Sequence, residues 1–291
     1  METIATDGLL SSFGTAHRHI ASERNNDVDL VMATVSQRVC YLVPDVTSPH
    51  QELCVLADRE AVRSYYVKER SFMERHSATL LAELTTDWYI FLETLATTRQ
   101  VATGTLHRNE VVVLIPVADD GIVGEVLATR RPWFDVYAGT AGPRPGMAPD
   151  GDTAAWRGRA VQAHEAFLDG LRAGSPADAA AVFNDAAQIA VVDLAVAPFG
   201  ALTGDGPAAV LRRCAMLVDA VADREVVLLN RIVGDWYVFA EWLTRGTAVP
   251  GRIHGAADGQ PVEVRTAGIF PVGDDRRLGG EWGVSTVNLP G

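Results

Sequence analysis

The chain lacks the features that announce several common functions. It holds only 3 cysteines, Cys40, Cys54 and Cys214, each inside an apolar run and none at a spacing suited to a metal or a disulfide. Buried free thiols in a reducing compartment are therefore expected. No apolar run approaches the ~18 residues that span a bilayer. The start, Met1-Glu2-Thr3, lacks the basic and apolar regions of a secretory signal, so a cytoplasmic location is expected. Basic residues are scarce: 25 Lys and Arg against 37 Asp and Glu leave a net charge of −12. Without a basic stripe, neither nucleic acid nor an anionic membrane is an expected partner. No Gly-rich loop follows a strand and opens a helix, which argues against a nucleotide site. The 7 histidines show no ligand spacing; His17 and His19 lie two apart on a helical stretch and so diverge. The expectation is a protein with no cofactor and no metal.

What the sequence does contain is a repeat. Asp87-Trp88-Tyr89-Ile90-Phe91-Leu92-Glu93 returns as Asp235-Trp236-Tyr237-Val238-Phe239-Ala240-Glu241, about half a chain later. Ile115-Pro116-Val117-Ala118-Asp119-Asp120 is echoed by Phe270-Pro271-Val272-Gly273-Asp274-Asp275, and each is followed by a Gly-Glu pair, Gly124-Glu125 and Gly280-Glu281. Ala16-His17 and Ala163-His164 fall at matching places in the first helical stretches. A period this large means two copies of a whole domain rather than a solenoid. With 291 residues, each copy has room to bury its own core.

Each half reads as helices followed by strands, the α+β pattern. In the first half, helical periodicity covers residues 8–24, 28–37 and 59–75, with strands over 39–43, 78–85, 87–99, 105–117 and 122–130. Residues 138–155, rich in Gly, Pro and small side chains, form a linker between domains at 1–137 and 156–291. The second half then gives helices over 157–173, 176–187 and 206–221 and strands over 189–192, 224–232, 235–248, 261–272 and 278–288. In the repeated strand, period two puts Tyr89, Phe91 and Glu93 on one face and Trp88, Ile90 and Leu92 on the other. Both faces carry large apolar residues, so both are expected to be covered, one by helices and one by a partner sheet.

The strand-end aspartates (Val43-Pro44-Asp45 and Val192-Asp193), the Asp-Trp-Tyr strand and the late Asp-Asp hairpin with its Gly-Glu resemble the nuclear transport factor two superfamily. That superfamily includes SnoaL-like polyketide cyclases, ketosteroid isomerases and epoxide hydrolases. The resemblance implies two tandem cones, each of three helices on a curved antiparallel sheet, paired within the chain as a pseudo-dimer. It also implies an apolar small-molecule substrate and a cofactor-independent acid–base reaction of natural-product type: cyclisation, isomerisation, dehydration or epoxide opening.

The candidate catalytic residues follow from that frame. Asp45 and Asp193 would lie at the inner rim of each cone, where desolvation suits a carboxyl to proton transfer. Tyr89 with Glu93, and Tyr237 with Glu241, would offer a hydroxyl and a carboxylate on one wall. Glu69 (or Glu74) and Asp219 lie on the third helices at spacings similar to the acid–base partners of fused polyether epoxide hydrolase/cyclases. Against a steroid isomerase, the strand Val111-Val112-Val113-Leu114-Ile115 and its counterpart Thr266-Ala267-Gly268-Ile269 offer no carboxyl for an oxyanion. The alternative is a ligand-binding or scaffold protein with one or both cones inactive. A deep apolar cavity with convergent carboxyl or tyrosine groups distinguishes the enzyme, and a cone filled by Trp, Phe and Leu the scaffold.

Overall fold

Two six-stranded sheets carry the chain, one in each of two units, Met1–Gly142 and Pro143–Gly291. The structure, a computed structural model, describes residues 6–48, 52–139, 153–273, 275 and 277–290. Most of the expected linker lies outside the described residues.

The first unit opens with helices α1 (Thr6–Arg24) and α2 (Val28–Met32). Strands β1 (Val35–Pro44) and β2 (Leu53–Leu56) follow, then helix α3 (Arg59–Phe72). Strands β3 (Met73–Thr85), β4 (Tyr89–Gln100), β5 (Leu106–Ala118) and β6 (Gly121–Thr129) form a meander, and the short helix α4 (Trp133–Ala138) closes the unit. The sheet order is β2-β1-β6-β5-β4-β3, antiparallel except where β1 runs parallel to β6. The second unit repeats the plan with α5 (Thr153–Ala173), α6 (Pro176–Ala181), β7 (Phe183–Asp193), β8 (Gly200–Asp205) and α7 (Gly206–Asp219). Strands β9 (Val221–Val233), β10 (Tyr237–Ala248), β11 (Pro261–Pro271) and β12 (Leu278–Asn288) complete it. Its order, β8-β7-β12-β11-β10-β9, has the matching parallel pair, β7 with β12. Each sheet is thus mixed rather than wholly antiparallel. Register shifts within the β3–β4 and β5–β6 pairs mark bulges, which bend the strands around the helices.

Local chemistry explains the helices. Asp27 caps α2 by accepting from the Leu30 N–H at 3.1 Å, and Asp58 caps α3 by accepting from the Ala61 N–H at 2.8 Å. The buried residues of α3, Val62, Tyr66 and Glu69, share one face at helical spacing. The second helix of each unit is shorter than its periodicity predicts. Val35 pairs with Ile122, and Phe183 with Leu278, so ladder hydrogen bonds draw residues 35–37 and 183–187 into strands. Arg59 reinforces this turn by donating to the carbonyls of Met32 (2.8 Å) and Val35. The short strand β8 and helix α4 lie in stretches where the sequence suggests no element. Counting from the N-cap residues Asp27 and Ser175, the first helices match at an offset of 148, which places Ala16 opposite His164 and corrects the expected alignment by one residue.

Both faces of the repeated strand are buried. Ile90 and Leu92 pack with Ala16 and Val62 on the helix-covered face, and Tyr89 and Phe91 on the other face are also sealed from solvent. The same holds for Val238 and Ala240 against Tyr237 and Phe239. No described helix is long and apolar enough to cross a membrane.

Candidate active site

The helix-covered side of the first sheet encloses a cavity of about 270 Å³. Its walls are largely apolar, with Leu92, Val113 and Ile115 from the sheet, Ile20 from α1, and Met73 and Trp133 at the sides. Arg24, Ser77 and Leu80 are exposed and form its mouth between α1 and β3, spanned by a 3.2 Å contact from His17 Nε2 to Glu83 Oε1. At the inner end lie the buried carboxyls of Glu23, Glu69 and Glu125, with the partly exposed Arg75 beside them.

Each of these charged groups has a structural reason for its position. Gly124 lets β6 press against β1: a Cβ there would stand 2.7 Å from the Cys40 carbonyl oxygen. The next residue, Glu125, then faces inward opposite Tyr41. Arg75 sits beside a bulge in β3, between its pairing with Thr98 and that of Ser77 with Thr97, which turns the side chain under the helices. There it donates to Glu23 Oε2 and, at 3.2 Å, to Glu69 Oε1. The Tyr66 hydroxyl from α3 reaches Glu23 Oε1 at 2.8 Å, Glu125 Oε2 at 3.2 Å and His19 Nε2 at 3.3 Å. Burial pushes the Glu125 carboxyl up to about 8, and the Glu23 charge adds to this against the opposing pull of Arg75. Burial opposes the Glu23 charge too, yet Arg75 and the Tyr66 hydroxyl together hold that carboxyl below its ordinary value. Burial also lowers His19, keeping its ring neutral, and raises Tyr66 well above the usual phenol range. One carboxyl of the pair is therefore ionised and the other protonated near neutral pH, as an acid–base site requires. His19, Glu23 and Glu125 also offer ligand atoms within 4.8 Å of one another, by type a set that could hold a small cation. Here the Arg75 guanidinium and the Tyr66 hydroxyl already serve those atoms.

The second unit presents the contrast. Phe167, Phe183, Trp242 and Phe270 are buried together inside its cone, with ring centroids 5.4 Å apart for Phe167–Phe270, 5.8 Å for Phe167–Trp242 and 6.0 Å for Trp242–Phe270. Strand register matches Trp242 to Thr94 and Phe270 to Ile115, because Trp242 pairs with Thr266 as Thr94 pairs with Val111, and Phe270 with Val238 as Ile115 with Ile90. Aromatic rings thus fill the space that the first unit leaves open. The eighth residue of the fourteen-residue helix α3 is Tyr66; the eighth of α7 is Arg213. Arg213 is fully buried and donates from Nε and Nη2 to Glu281, the counterpart of Glu125, and from Nη1 to Asp193.

The structure places the eight expected residues as follows. Glu69 lines the cavity, and its Oε2 is buried without a hydrogen-bond partner. Asp45 closes its own turn by accepting from the Thr47 N–H and hydroxyl, and it pairs with Lys68 at 2.7 Å. Burial is the largest influence on Asp45, but the Lys68 and Thr47 hydrogen bonds outweigh it and hold the carboxyl below its ordinary value. Asp193 is buried and saturated, accepting from the Ala195 and Val196 N–H groups, Ser285 and Arg213. Tyr89 and Glu93 lie on the face opposite Leu92 and Thr94, which line the cavity; period two forbids both sets from facing it. Tyr237 occupies the equivalent position, and Glu241 accepts from Asn230 at 2.7 Å and Arg265 at 2.9 Å. Asp219 is exposed at the end of α7, and Glu74 is half exposed beside Arg99. The structure therefore brings Glu69 together with Glu23, Arg75, Tyr66, His19 and Glu125, none of which the sequence reading proposed. The signal for Glu125 was present in the repeated Gly-Glu.

No family model matches the chain, and no curated protein matches it. Solved structures resemble it over about one unit's length. A SnoaL-like polyketide cyclase from Jannaschia sp. CCS1 is 17% identical and covers 48% of this chain and 92% of its own, with a TM-score of 0.37. An NTF2-like protein from Burkholderia thailandensis is 12% identical, covering 44% and 95% with a TM-score of 0.36. A protein described as an isomerase from Rhodopseudomonas palustris is 20% identical, covering 44% and 88% with a TM-score of 0.34. The first two of these names belong to the superfamily that the repeated motifs resemble. At such identities the likeness is one of fold over half a chain, and no activity comes with it.

Proposed function

We propose that the first unit is a general acid–base enzyme acting on an apolar small molecule that carries an oxygen function, and that the second unit is a packed, inactive copy. The observation that supports this reading is a pair of buried carboxyls, Glu125 and Glu23, at the inner end of an apolar cavity with oxygens within 4.8 Å of one another, where burial pushes Glu125 up to about 8. Glu125 would give its proton to an epoxide, carbonyl or hydroxyl oxygen of the substrate as a carbon–oxygen bond breaks or polarises. The resulting carboxylate recovers a proton from the attacking hydroxyl or the neighbouring C–H of the substrate, so cyclisation or isomerisation proceeds with no net proton uptake. Desolvation inside the cone strengthens each of these interactions. Epoxide opening, dehydration and acid-assisted cyclisation or isomerisation, all within what the resemblance implies, can use such a transfer, and a polyketide- or terpenoid-like skeleton would match the apolar walls.

The test uses a long-chain hydroxy-epoxide as probe, with product followed by mass spectrometry for the wild type, Glu125→Gln and Asp45→Asn. Catalysed opening by the wild type and by Asp45→Asn, with loss in Glu125→Gln, is the expected result. Full activity in Glu125→Gln overturns the assignment. Binding of the probe without conversion by any form supports the second reading, a ligand-binding protein.

A further inference from the structure

Three protonatable groups converge on a single oxygen in the first unit, and the protons can be counted. The hydroxyl of Tyr66 is surrounded by Glu23 Oε1, Glu125 Oε2 and His19 Nε2, at 2.8, 3.2 and 3.3 Å. The ring of His19 is fixed by its other nitrogen: Nδ1 lies 2.7 Å from Thr34 Oγ1, whose own hydrogen goes to the Val31 carbonyl at 2.6 Å. Nδ1 must therefore carry the hydrogen and donate, leaving Nε2 as a bare lone pair. Glu23 is bound to the Arg75 guanidinium and acts as an acceptor. A phenol has one hydrogen, and the shortest of the three contacts directs it to Glu23. The contact with Glu125 then needs a second proton, carried by Glu125 and donated to the Tyr66 oxygen.

We propose that Tyr66 is a positioning residue, whose hydroxyl bridges Glu23 and Glu125 and so lets Glu125, protonated by its burial, release and recover its proton inside the cavity. The proposal rests on the reading of Glu125 as the reacting acid and adds what keeps that acid able to exchange its proton. The duplication supplies the comparison. In the second unit the same helix position is Arg213, whose guanidinium forks onto the equivalent carboxylate, Glu281. A permanent cation there fixes a charged pair, whereas a phenol offers one hydrogen and one acceptor and leaves the carboxyl titratable. Loss of the Glu125 proton frees the Tyr66 oxygen, and its hydrogen can swing from Glu23 to Glu125, exchanging one hydrogen bond for another while the phenol O–H stays intact.

Other ionisable groups face Glu125 from every packed element. Glu23 and His19 come from α1, Tyr41 from β1, Glu69 from α3 and Arg75 from β3, while Arg70 lies over the Tyr66 ring, 5.9 Å from its centroid. None of them occupies the bridging point.

The experiment reads protonation without substrate. Infrared difference spectra of the whole protein are recorded against pH, and the Glu125 band is identified by its loss in Glu125→Gln. In the wild type the protonated-carboxyl band is expected below about pH 8 and absent well above it. Tyr66→Phe removes the hydrogen bond that supports ionised Glu125, so the band should persist to higher pH. Tyr66→Arg copies the second unit, and the band should already be missing at neutral pH. Shifts in the same direction for both variants, or no shift in either, would overturn the proposal, because a merely structural tyrosine predicts no opposed titrations. Should Tyr66→Arg fail to fold, the upward shift in Tyr66→Phe still decides it. A band that responds as expected in a protein whose Glu125→Gln form remains active would refute the catalytic reading and leave the bridge standing. A wild type with no such band at neutral pH refutes the bridge.

Discussion

Replacing Glu125 by glutamine should flatten part of the dependence of stability on pH. In the unfolded chain a glutamate titrates near 4.5, whereas burial holds Glu125 protonated up to about 8 in the folded protein. Between those values the native state binds one more proton than the unfolded state. Stability therefore falls as pH rises, at up to ~1.4 kcal/mol per pH unit, and the contribution is fully present below 4.5 and gone above about 8. Integrating this single group from pH 6 to pH 8 gives a loss of roughly 2 kcal/mol in the wild type. Glutamine keeps the shape and carries no titrating proton, so this component vanishes in Glu125→Gln. Glu23 does not mimic it, since its lowered value places its own window below 4.5. Urea unfolding of both proteins at pH 6 and pH 8 checks the difference of differences, in which other titrating groups cancel. Equal pH dependence in wild type and variant would refute the raised Glu125 carboxyl, and with it the acid role proposed for it.

Thr94→Trp should place in the first cone the ring that Trp242 places in the second; uptake of a naphthol probe should be lost, for an overpacking cost of about 1–3 kcal/mol in thermal unfolding. Arg213→Met leaves Asp193 and Glu281 buried with no cation and should cost about 3–5 kcal/mol, read from the denaturant midpoint, while the Glu125 infrared band stays in place. Trp242→Ala should cost about 3–5 kcal/mol and open an apolar cavity, part of which benzene should recover as a rise in melting temperature. Lys68→Ala removes an ion pair whose lysine side chain is 54% exposed, so screening should keep its effect below about 1 kcal/mol by the same unfolding measurement.

Much of the fold was legible because its signals are local or doubled. The repeated Asp-Trp-Tyr strand, with apolar residues on both faces, describes a strand buried on both sides, and β4 and β10 are that strand. The second helices were misread in both copies for one reason. Residues 35–37 and 183–187 have a mixed pattern, and long-range pairing with Ile122 and Leu278 decides their conformation. The site was harder to see because its parts are far apart in sequence. Glu23 is on α1, Tyr66 on α3, Arg75 beside a bulge of β3 and Glu125 on β6, and spacing along the chain does not reveal a common point.

The duplication misled at first and then became informative. Tyr89, Glu93, Tyr237 and Glu241 stood out because they are shared between the copies, yet the first pair turns away from the cavity and Glu241 is tied to Asn230 and Arg265. Residues shared by an open cone and a filled one answer to what the two have in common, which is the sheet. Chemistry belongs where the copies differ on a common frame. At three such places the first unit has Thr94, Ile115 and Tyr66 where the second has Trp242, Phe270 and Arg213. The first two differences determine whether the cone is empty. The third determines whether the shared carboxylate, Glu125 or Glu281, is free to exchange a proton or is held by a guanidinium. An open cavity with a locked carboxylate could bind but not protonate, and a free carboxyl in a filled cone could meet no substrate. Only the first unit combines the two conditions, so the proposed acid–base role falls to it.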